Sequence, residues 1–390
     1  MEFSKRMNYF DTGVFSALAQ MKNEKKAAGA TVIDLSVGAP NIPPAPHIME
    51  ALAQSAREKE NYVYALNDTP ELIEAVCAWY RRRYGVELDG AAEVASLLGS
   101  QDGLSHIALS VIDPGDLVLV PDPGYPIFGD GPVLAGAELY RMPQTPETGC
   151  VVDLKAVPDE IARRAKFMIV SYPANPVTSI APPSFYEELV SFAKRYDILV
   201  LHDNAYSELV FDGAKCGSFL QYEGAKEVGV EFNSLSKTYG LAGARIGFAV
   251  GNREVIGKLK ALKSNLDYGM FLPVQKAAVA ALTGPQDCVE TTRRAYEKRR
   301  DVLVEGLNAV GWKMEKPKAT MFVWAKIPEP FTDSVKFVRE LLNRAGVLVT
   351  PGSAFGPSGE GYVRMALVQD EADMRLAVKK IDESGILKEQ

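Results

Sequence analysis

The chain has 390 residues, of which 47% are hydrophobic and 24% are charged, a composition typical of a globular protein with two or three domains. Its 43 basic and 50 acidic residues give a net charge of −7, which argues against a nucleic-acid-binding face. The four cysteines form no Cys-x-x-Cys pair, and no apolar run suits a signal peptide or a membrane helix, so we expect a reduced, cytoplasmic protein without a metal site.

Short β-rich runs alternate with amphipathic helical runs through the middle of the chain. This alternation predicts an α/β fold with a mostly parallel central sheet that helices cover on both faces. We expect residues 46–285 to form a large domain, and residues 1–45 and 286–390 to form one small α/β domain together. The expected strands of the large domain are residues 93–99, 116–122, 166–172, 197–203, 229–235 and 244–251.

Polar residues stand at the carboxyl ends of these expected strands, which is where an open α/β sheet binds its ligands. Taken alone, Ser100 is better explained as a helix N-cap, Asn175 before Pro176 as a turn residue, and Asp203 as a cap or a turn residue. Their joint occurrence is what points to a site. The residues are Ser100, Gln101, Tyr125, Asn175, Asp203, Tyr206, Ser234, Ser236, Lys237 and Arg245.

Together these residue types match the groups of one ligand, pyridoxal 5'-phosphate (PLP). A helix N-terminus at Ser100, with Ser234 and Arg245, can hold a phosphate without a P-loop. A desolvated lysine such as Lys237 is a Schiff-base nucleophile, and a carboxylate such as Asp203 can pair with a protonated pyridine nitrogen. A phenol and an amide can bind the ring hydroxyl, and a second phenol can supply a flat face.

The chain also resembles, over nearly its whole length, the class I/II aminotransferases, which are fold-type I PLP-dependent transferases. It looks most like the branch that contains LL-diaminopimelate aminotransferase and related broad aminotransferases. Six motifs in the family's order carry the resemblance, whereas any one of them alone would be weak. They are GSQDGL, PDPGYP, SYPANP, HDNAYSELVFDG, NSLSKTYGLAGARIGFAVG and GSAFGPSGEGYVRMAL.

The resemblance implies a role for each residue around the cofactor ring. Lys237 would form the Schiff base and later move the proton, and Asp203 would keep the pyridine nitrogen protonated. Tyr206 and Asn175 would bind the ring hydroxyl, and Tyr125 would stack on the ring. Lys237, Asp203 and Tyr206 are therefore the expected catalytic residues.

The phosphate of PLP would be held at one helix N-terminus and by the loop after the lysine's strand. The resemblance implies Ser100, Gln101, Ser234 and Arg245 for this role, with Ser236 as a weaker candidate. Each of these residue types donates hydrogen bonds to phosphate oxygens.

The resemblance also implies a site for the substrate α-carboxylate. Arg364 in YVRMAL would grip it, with Asn175 and the backbone at Gly38 assisting. The alternative is that Arg364 is an ion-pair partner within a strand. Its place after a glycine-rich loop, in an otherwise apolar strand, favours the functional interpretation because a guanidinium binds a carboxylate through two bonds.

The sequence departs from the family pattern at three places. Where the family usually reads Asn-Pro-Thr-Gly, this chain has Asn-Pro-Val-Thr, with Val177 and Thr178 at the last two positions. Ala244 stands where close relatives often carry a bulky aromatic before the phosphate arginine. The loop that would lend a tyrosine to the neighbouring subunit's phosphate contains both Tyr62 and Tyr64, and we favour Tyr64. This shared tyrosine, with the resemblance, predicts a homodimer.

We therefore expect a PLP-dependent aminotransferase that moves an amino group between an L-amino acid and a 2-oxo acid, with 2-oxoglutarate and glutamate as one pair. A carbon–sulfur lyase on the same scaffold is the alternative. A sensor module would need an attached DNA-binding domain, and a nicotinamide dehydrogenase would need a Gly-x-Gly-x-x-Gly turn. The side-chain specificity stays open, and the candidate pocket walls are Tyr9, Phe10, Phe15, Tyr268 and Phe322.

Overall fold

The computed structural model describes residues 1–10 and 14–388, apart from the side chains of residues 14 and 15. Twelve strands lie in the described part of the chain. They are β1 (Ile33–Asp34), β2 (Val94–Leu97), β3 (Leu117–Asp122), β4 (Glu138–Pro143), β5 (Ala165–Ser171), β6 (Leu199–Asp203), β7 (Gly229–Ser234), β8 (Gly247–Gly251), β9 (Phe322–Lys326), β10 (Val347–Leu348), β11 (Thr350–Pro351) and β12 (Tyr362–Ala366).

Seven strands form the central sheet in the order β2-β8-β7-β6-β5-β3-β4. Six of them run parallel, and β8 runs antiparallel to both of its neighbours, β2 and β7. The expected mostly parallel sheet is confirmed. From β8 to β3 the strands follow one another across the sheet in reverse chain order. The carboxyl ends of the parallel strands β5, β6 and β7 therefore lie side by side near the middle of one edge of the sheet.

Two details of the expected strands were wrong. Strand β4 was not predicted, because it is an edge strand in which only Met142 is buried, so it lacks the apolar pattern of the inner strands. The strand expected from residue 244 begins only at Gly247. Arg245 has a φ of 56°, a left-handed conformation that an extended strand does not accommodate.

Fifteen α-helices cover the sheets in the described residues. They are α1 (Val14–Ala27), α2 (Pro46–Ser55), α3 (Pro70–Tyr84), α4 (Gly90–Glu93), α5 (Ser100–Val111), α6 (Ile127–Ala135), α7 (Asp159–Ala162), α8 (Pro183–Tyr196), α9 (Ala225–Val228), α10 (Leu235–Thr238), α11 (Arg253–Leu266), α12 (Leu272–Thr283), α13 (Asp287–Ala309), α14 (Ser334–Ala345) and α15 (Glu371–Glu383). Helix α3 shows why they begin and end where they do. The Thr69 hydroxyl accepts from Leu72 N, Pro70 takes the first position, and Gly85 ends the helix in the left-handed region.

Two smaller sheets lie outside the central one. Strands β11, β12 and β9 form an antiparallel sheet, and β1 pairs in parallel with β10. A separate hydrophobic core joins Leu18, Ile33 and Leu35 to the buried faces of α13, α14 and α15. This packing supports the division that we propose, with a large domain of residues 46–285 and a small domain from both chain ends.

No helix in the described residues is both long enough and apolar enough to cross a bilayer.

Candidate active site

A cavity of about 480 Å³ lies at the carboxyl edge of the central sheet. It brings together residues that are far apart in the chain, from the segment before α2 to strand β12. All of the predicted cofactor and substrate residues except Tyr64 line it. They are Gly38, Ser100, Gln101, Tyr125, Asn175, Asp203, Tyr206, Ser234, Ser236, Lys237, Arg245 and Arg364.

One end of the cavity is suited to an anion. Helix α5 begins at Ser100, and the first N–H groups of a helix have no partner within it. The Ser234 hydroxyl lies at the end of β7 and accepts from Ser236 N, which leaves its own proton free to be donated. Arg245 adds a full positive charge at the same end.

Gly99 makes room for this arginine. A Cβ on residue 99 would lie 2.5 Å from Arg245 Nη2, and the φ of Gly99 is +86°, where an L side chain is strained. Gly247 does the same for the helix, since its added Cβ would lie 2.9 Å from Ser100 N. The two glycines therefore allow the guanidinium and the start of α5 to converge.

Lys237 lies in the short helix α10, directly after β7, and points into the cavity. Its Nζ donates to Gly38 O at 3.1 Å. Burial, and then the positive charges of Arg364 and Arg245, lower the pKa of Lys237 to about 8. At neutral pH about a tenth of the amine is thus uncharged and nucleophilic, far more than for a surface lysine.

Asp203 is the last residue of β6 and is buried at 6% exposure. Burial raises the pKa of its carboxyl to about 6, and the nearby charges of His202 and Lys237 oppose that rise. The backbone N–H of Ala205 donates to it at 3.3 Å. A carboxylate held this way favours a cationic partner, such as a protonated ring nitrogen.

Tyr125 and Tyr206 line the cavity on separate elements. The Tyr125 hydroxyl donates to Gln101 Oε1 at 3.1 Å, which ties the predicted stacking ring to the start of α5. Tyr206 is buried, and this burial raises the pKa of its phenol, so it stays a hydrogen-bond donor throughout the physiological range. Its ring packs edge-on against Phe322.

Arg364 is buried in β12 and has its guanidinium between two aromatic rings, 4.1 Å from the Phe322 centroid and 4.5 Å from that of Phe355. Its Nη1 donates to Asn175 Oδ1 at 2.8 Å, and its Nη2 donates to Ser36 O at 3.0 Å. Its buried Nε has no hydrogen-bond partner among the residues that the structure describes. Burial lowers the pKa of Arg364 to about 10, so it remains charged at neutral pH.

The structure shows how the chain accommodates its departures from the family pattern. Thr178, where the family has glycine, takes a φ of 62°. Its N–H bonds to Ala174 O at 2.9 Å, so the turn closes and presents Asn175 to Arg364. A non-glycine residue in this conformation costs on the order of 1 kcal/mol. Ala244 packs at the edge of the large hydrophobic core and does not line the cavity.

The tyrosine loop lies away from the cavity of its own chain. Tyr62 donates its hydroxyl to Ala56 O at 2.8 Å and packs against Phe271. Tyr64 is 81% exposed and packs against Tyr268. Its assignment to a neighbouring subunit's phosphate stays a prediction, and the intrachain bond of Tyr62 favours Tyr64 for that role.

The predicted pocket walls divide among different places. Phe322 lines the cavity, Tyr9 and Phe10 line an adjoining one, and Tyr268 lines neither. The side chain of Phe15 lies outside the described ones.

Sequence reasoning missed one charged residue of the cavity. Asp130, in the first turn of α6, also lines it. An acidic residue five positions after Tyr125 was the available signal.

These features fit PLP. The anion-binding end, the desolvated amine of Lys237 and the carboxylate of Asp203 face one cavity, and Gly99 leaves the space in which Arg245 can meet a phosphate. The unpartnered Nε of Arg364 offers a further donor, as a substrate carboxylate requires. When bound, PLP supplies an electrophilic aldehyde and a ring that accepts electrons.

Comparison with known proteins agrees with this geometry. The family model of class I and II aminotransferases matches residues 30–381. The chain is 45% identical over 382 residues to an LL-diaminopimelate aminotransferase of Moorella thermoacetica, covering 98% of both chains. It is 46% identical over 365 residues to that of Desulforudis audaxviator, covering 93% of both.

Solved structures show the same relationship. Substrate-bound BacF of Bacillus subtilis superposes with a TM-score of 0.93 at 38% identity, covering 98% of both chains. A probable N-succinyldiaminopimelate aminotransferase of Thermus thermophilus gives 0.90 at 36% identity, covering 95% of this chain and all of that one. The chain therefore belongs to the class I and II aminotransferases, and it is a PLP-dependent enzyme of fold type I.

Proposed function

We propose that the protein transfers the amino group of LL-diaminopimelate, or of a close analogue with two charged ends, to 2-oxoglutarate. The observation that supports binding of an amino acid is the buried Arg364, which lies with Lys237 in one cavity. Its Nε has no partner in the described part of the chain. The names of the relatives support the diaminopimelate part, since two of them at 45% and 46% identity act on that compound by name.

Arg364 binds the α-carboxylate of both substrates in turn. Its two Nη groups are fixed by Asn175 and by Ser36 O, so the guanidinium is oriented before the substrate arrives. Two substrates that share an α-carboxylate can therefore use one site alternately, as a ping-pong exchange requires.

Lys237 provides the nucleophilic amine and then moves a proton. Its pKa of about 8 allows it to exist in both protonation states near neutral pH, which a general acid–base requires. With PLP bound, Asp203 would keep a proton on the pyridine nitrogen, and Tyr206 and Asn175 would bind the ring hydroxyl. The phosphate would be held by Ser100, Gln101, Ser234, Ser236 and Arg245.

A half-reaction screen tests this proposal. Purified holoenzyme is mixed with single amino acids, and the absorbance of bound PLP is followed as it converts to the amine form. We expect LL-diaminopimelate and glutamate to convert it, and 2-oxoglutarate to restore it. Release of pyruvate and ammonia from a sulfur-containing amino acid would instead identify a carbon–sulfur lyase.

We also propose that the enzyme is a cytoplasmic homodimer in which Tyr64 reaches the partner's phosphate. The tyrosine loop and the neighbouring loop before α12 expose several large apolar residues, which supports a buried surface in an assembly. All four cysteines are free, which suits a reducing compartment. Sedimentation of a fully active monomer would refute the dimer.

A further inference from the structure

A second chamber, of about 380 Å³, opens beside the active-site cavity. The two share Tyr125, Pro126 and Asp130 as common walls. On its inner side the chamber is lined by Phe355, whose ring also packs 4.5 Å from the guanidinium carbon of Arg364. Phe355 therefore borders both the chamber and the arginine of the proposed α-carboxylate site.

Asp130 carries a negative charge at the boundary of the two spaces. It lies in the first turn of α6 and is partly buried. Among the described residues, no hydrogen-bond donor or cation is paired with its carboxylate. Burial raises the pKa of its carboxyl to about 6.

Arg141 carries a positive charge on another wall of the same chamber. It belongs to the edge strand β4 and lines the chamber together with Tyr9 of the N-terminal segment. None of the described carboxylates lies within ion-pair distance of it. The chamber thus presents one anion and one cation that are not paired with each other.

We propose that Asp130 and Arg141 form a distal subsite, which binds the ammonium and the carboxylate at the far end of a diamino dicarboxylate. The inference rests on the proposed function, in which Arg364 holds the near end of such a substrate. A substrate with an amino-acid group at each end needs a carboxylate-binding site at both ends and an acidic group for the far ammonium. An amino acid with an uncharged side chain would leave both charges of the chamber unpaired.

Three amino donors distinguish binding of the far ammonium from binding of the far carboxylate. LL-diaminopimelate carries both, L-lysine carries the ammonium alone, and L-2-aminopimelate carries the carboxylate alone. The holoenzyme and the variants Asp130→Asn and Arg141→Gln are each mixed with the three donors. The half-reaction is followed by the absorbance of bound PLP, and its half-saturating concentration is measured.

We expect Asp130→Asn to raise the half-saturating concentration about ten- to a hundredfold for LL-diaminopimelate and lysine, and to leave 2-aminopimelate within a few-fold. Arg141→Gln should raise it for LL-diaminopimelate and 2-aminopimelate, and leave lysine within a few-fold. Matched controls are Asp373→Asn, in the first turn of α15, and Arg164→Gln, which is exposed and pairs with Glu138. Neither control variant should change the half-saturating concentration of any of the three donors.

A uniform change across the three donors in both variants would overturn the subsite, because the two residues would then support only the wall. If the parent enzyme converts glutamate but none of the three donors, the diaminopimelate substrate and the subsite both fail, while transamination stands. If lysine and 2-aminopimelate respond to the two variants as expected but LL-diaminopimelate does not react, the subsite holds and only the proposed substrate fails.

Discussion

Strand β6 separates two buried groups of charged side chains that differ in how completely they are partnered. His202 and Asp203 are neighbours in the chain, and successive residues of a strand point to opposite faces of the sheet. His202 therefore lies behind the sheet edge, and Asp203 lies in the cavity.

The group behind the sheet is saturated with hydrogen bonds. His202 Nδ1 and Glu231 Oε2 are 2.8 Å apart, and both side chains are fully buried. Glu231 also accepts from the Tyr80 hydroxyl, the Ser218 hydroxyl and Phe219 N, at 2.8 to 2.9 Å. Such a network cross-links the strands and leaves no group free for a ligand.

The group in the cavity is incompletely partnered. Burial is the chief cause of a raised pKa at Asp203 and of lowered pKa values at Lys237 and Arg364, so it favours the neutral form of each. The Nε of Arg364 has no partner within the described residues. Burial is common to both groups, so burial alone does not mark function. The missing partners do, because a ligand can supply them.

The largest expected effect comes from the lysine of the incomplete group. Lys237→Ala should reduce transamination by at least about four orders of magnitude, because it removes both the nucleophile and the proton carrier. Borohydride reduction of the parent holoenzyme, followed by peptide mapping, should label Lys237. The buried Lys263, which is paired with Asp102 and Asp267, is the matched control, and a label on it would disprove the assignment.

Asp203→Ala should slow the half-reaction by several orders of magnitude while PLP still binds through Lys237. Each pKa unit lost by the ring nitrogen reduces its protonated population about tenfold. Asp203→Glu should keep part of the rate, since the charge remains at a different distance. Stopped-flow absorbance with a good amino donor measures both, and a rate for Asp203→Ala within a few-fold of the parent would reduce Asp203 to a structural role.

Arg364→Ala should raise the half-saturating amino-acid concentration by a factor corresponding to about 2–5 kcal/mol, because it removes a buried charge that pairs with the carboxylate. PLP affinity should change little. Titration of the apoenzyme with PLP, alongside substrate kinetics, separates the two effects. Normal substrate binding with weak PLP binding would show that the assigned role is wrong.

The rate at which the apoenzyme takes up PLP through Lys237 should rise with pH and level off above about 8, because only the neutral amine reacts. Arg364→Met should shift the midpoint of this pH profile to higher pH by about one unit at most. It removes a positive charge that lowers the pKa of Lys237, and a raised pKa places the neutral amine at higher pH. A profile unchanged by this variant would contradict the electrostatic coupling.

The smallest effect on rate is expected behind the sheet. Glu231→Gln should lower the free energy of unfolding by about 1–3 kcal/mol, since it disturbs a buried network, and should change the half-reaction only a few-fold. Urea unfolding of the apoenzyme measures the first, and stopped-flow absorbance the second. A rate loss as large as that of Asp203→Ala would remove the distinction between the two groups.

The sequence predicted the strand-end residues well because apolar strands with polar ends are a local pattern. Asp203 and Ser234 are each the last residue of a strand, and Ser100 begins the helix after another. The edge strand β4 was not predicted, since exposure on its faces removes the apolar signal.

The rest of the site depends on contacts between distant segments. The chamber at Asp130 forms only because the segment of Tyr9 lies against α6 and β4, and no local pattern in either segment encodes that contact. The left-handed conformation of Thr178 is likewise imposed by the turn around it, since threonine has no local preference for it. The sequence therefore did not predict those parts of the site whose shape depends on packing between distant segments.

The reversed direction of β8 places several site residues close together in the chain. Because β7 leaves the sheet at the edge where β8 enters it, the connection between them stays short and local. Ser234 ends β7, and Lys237 and Arg245 both lie on that one connection. The spacing between the amine of Lys237 and the proposed phosphate anchors Ser234 and Arg245 is thus set by the consecutive residues 234–245, so an insertion or deletion within them should displace these groups relative to one another.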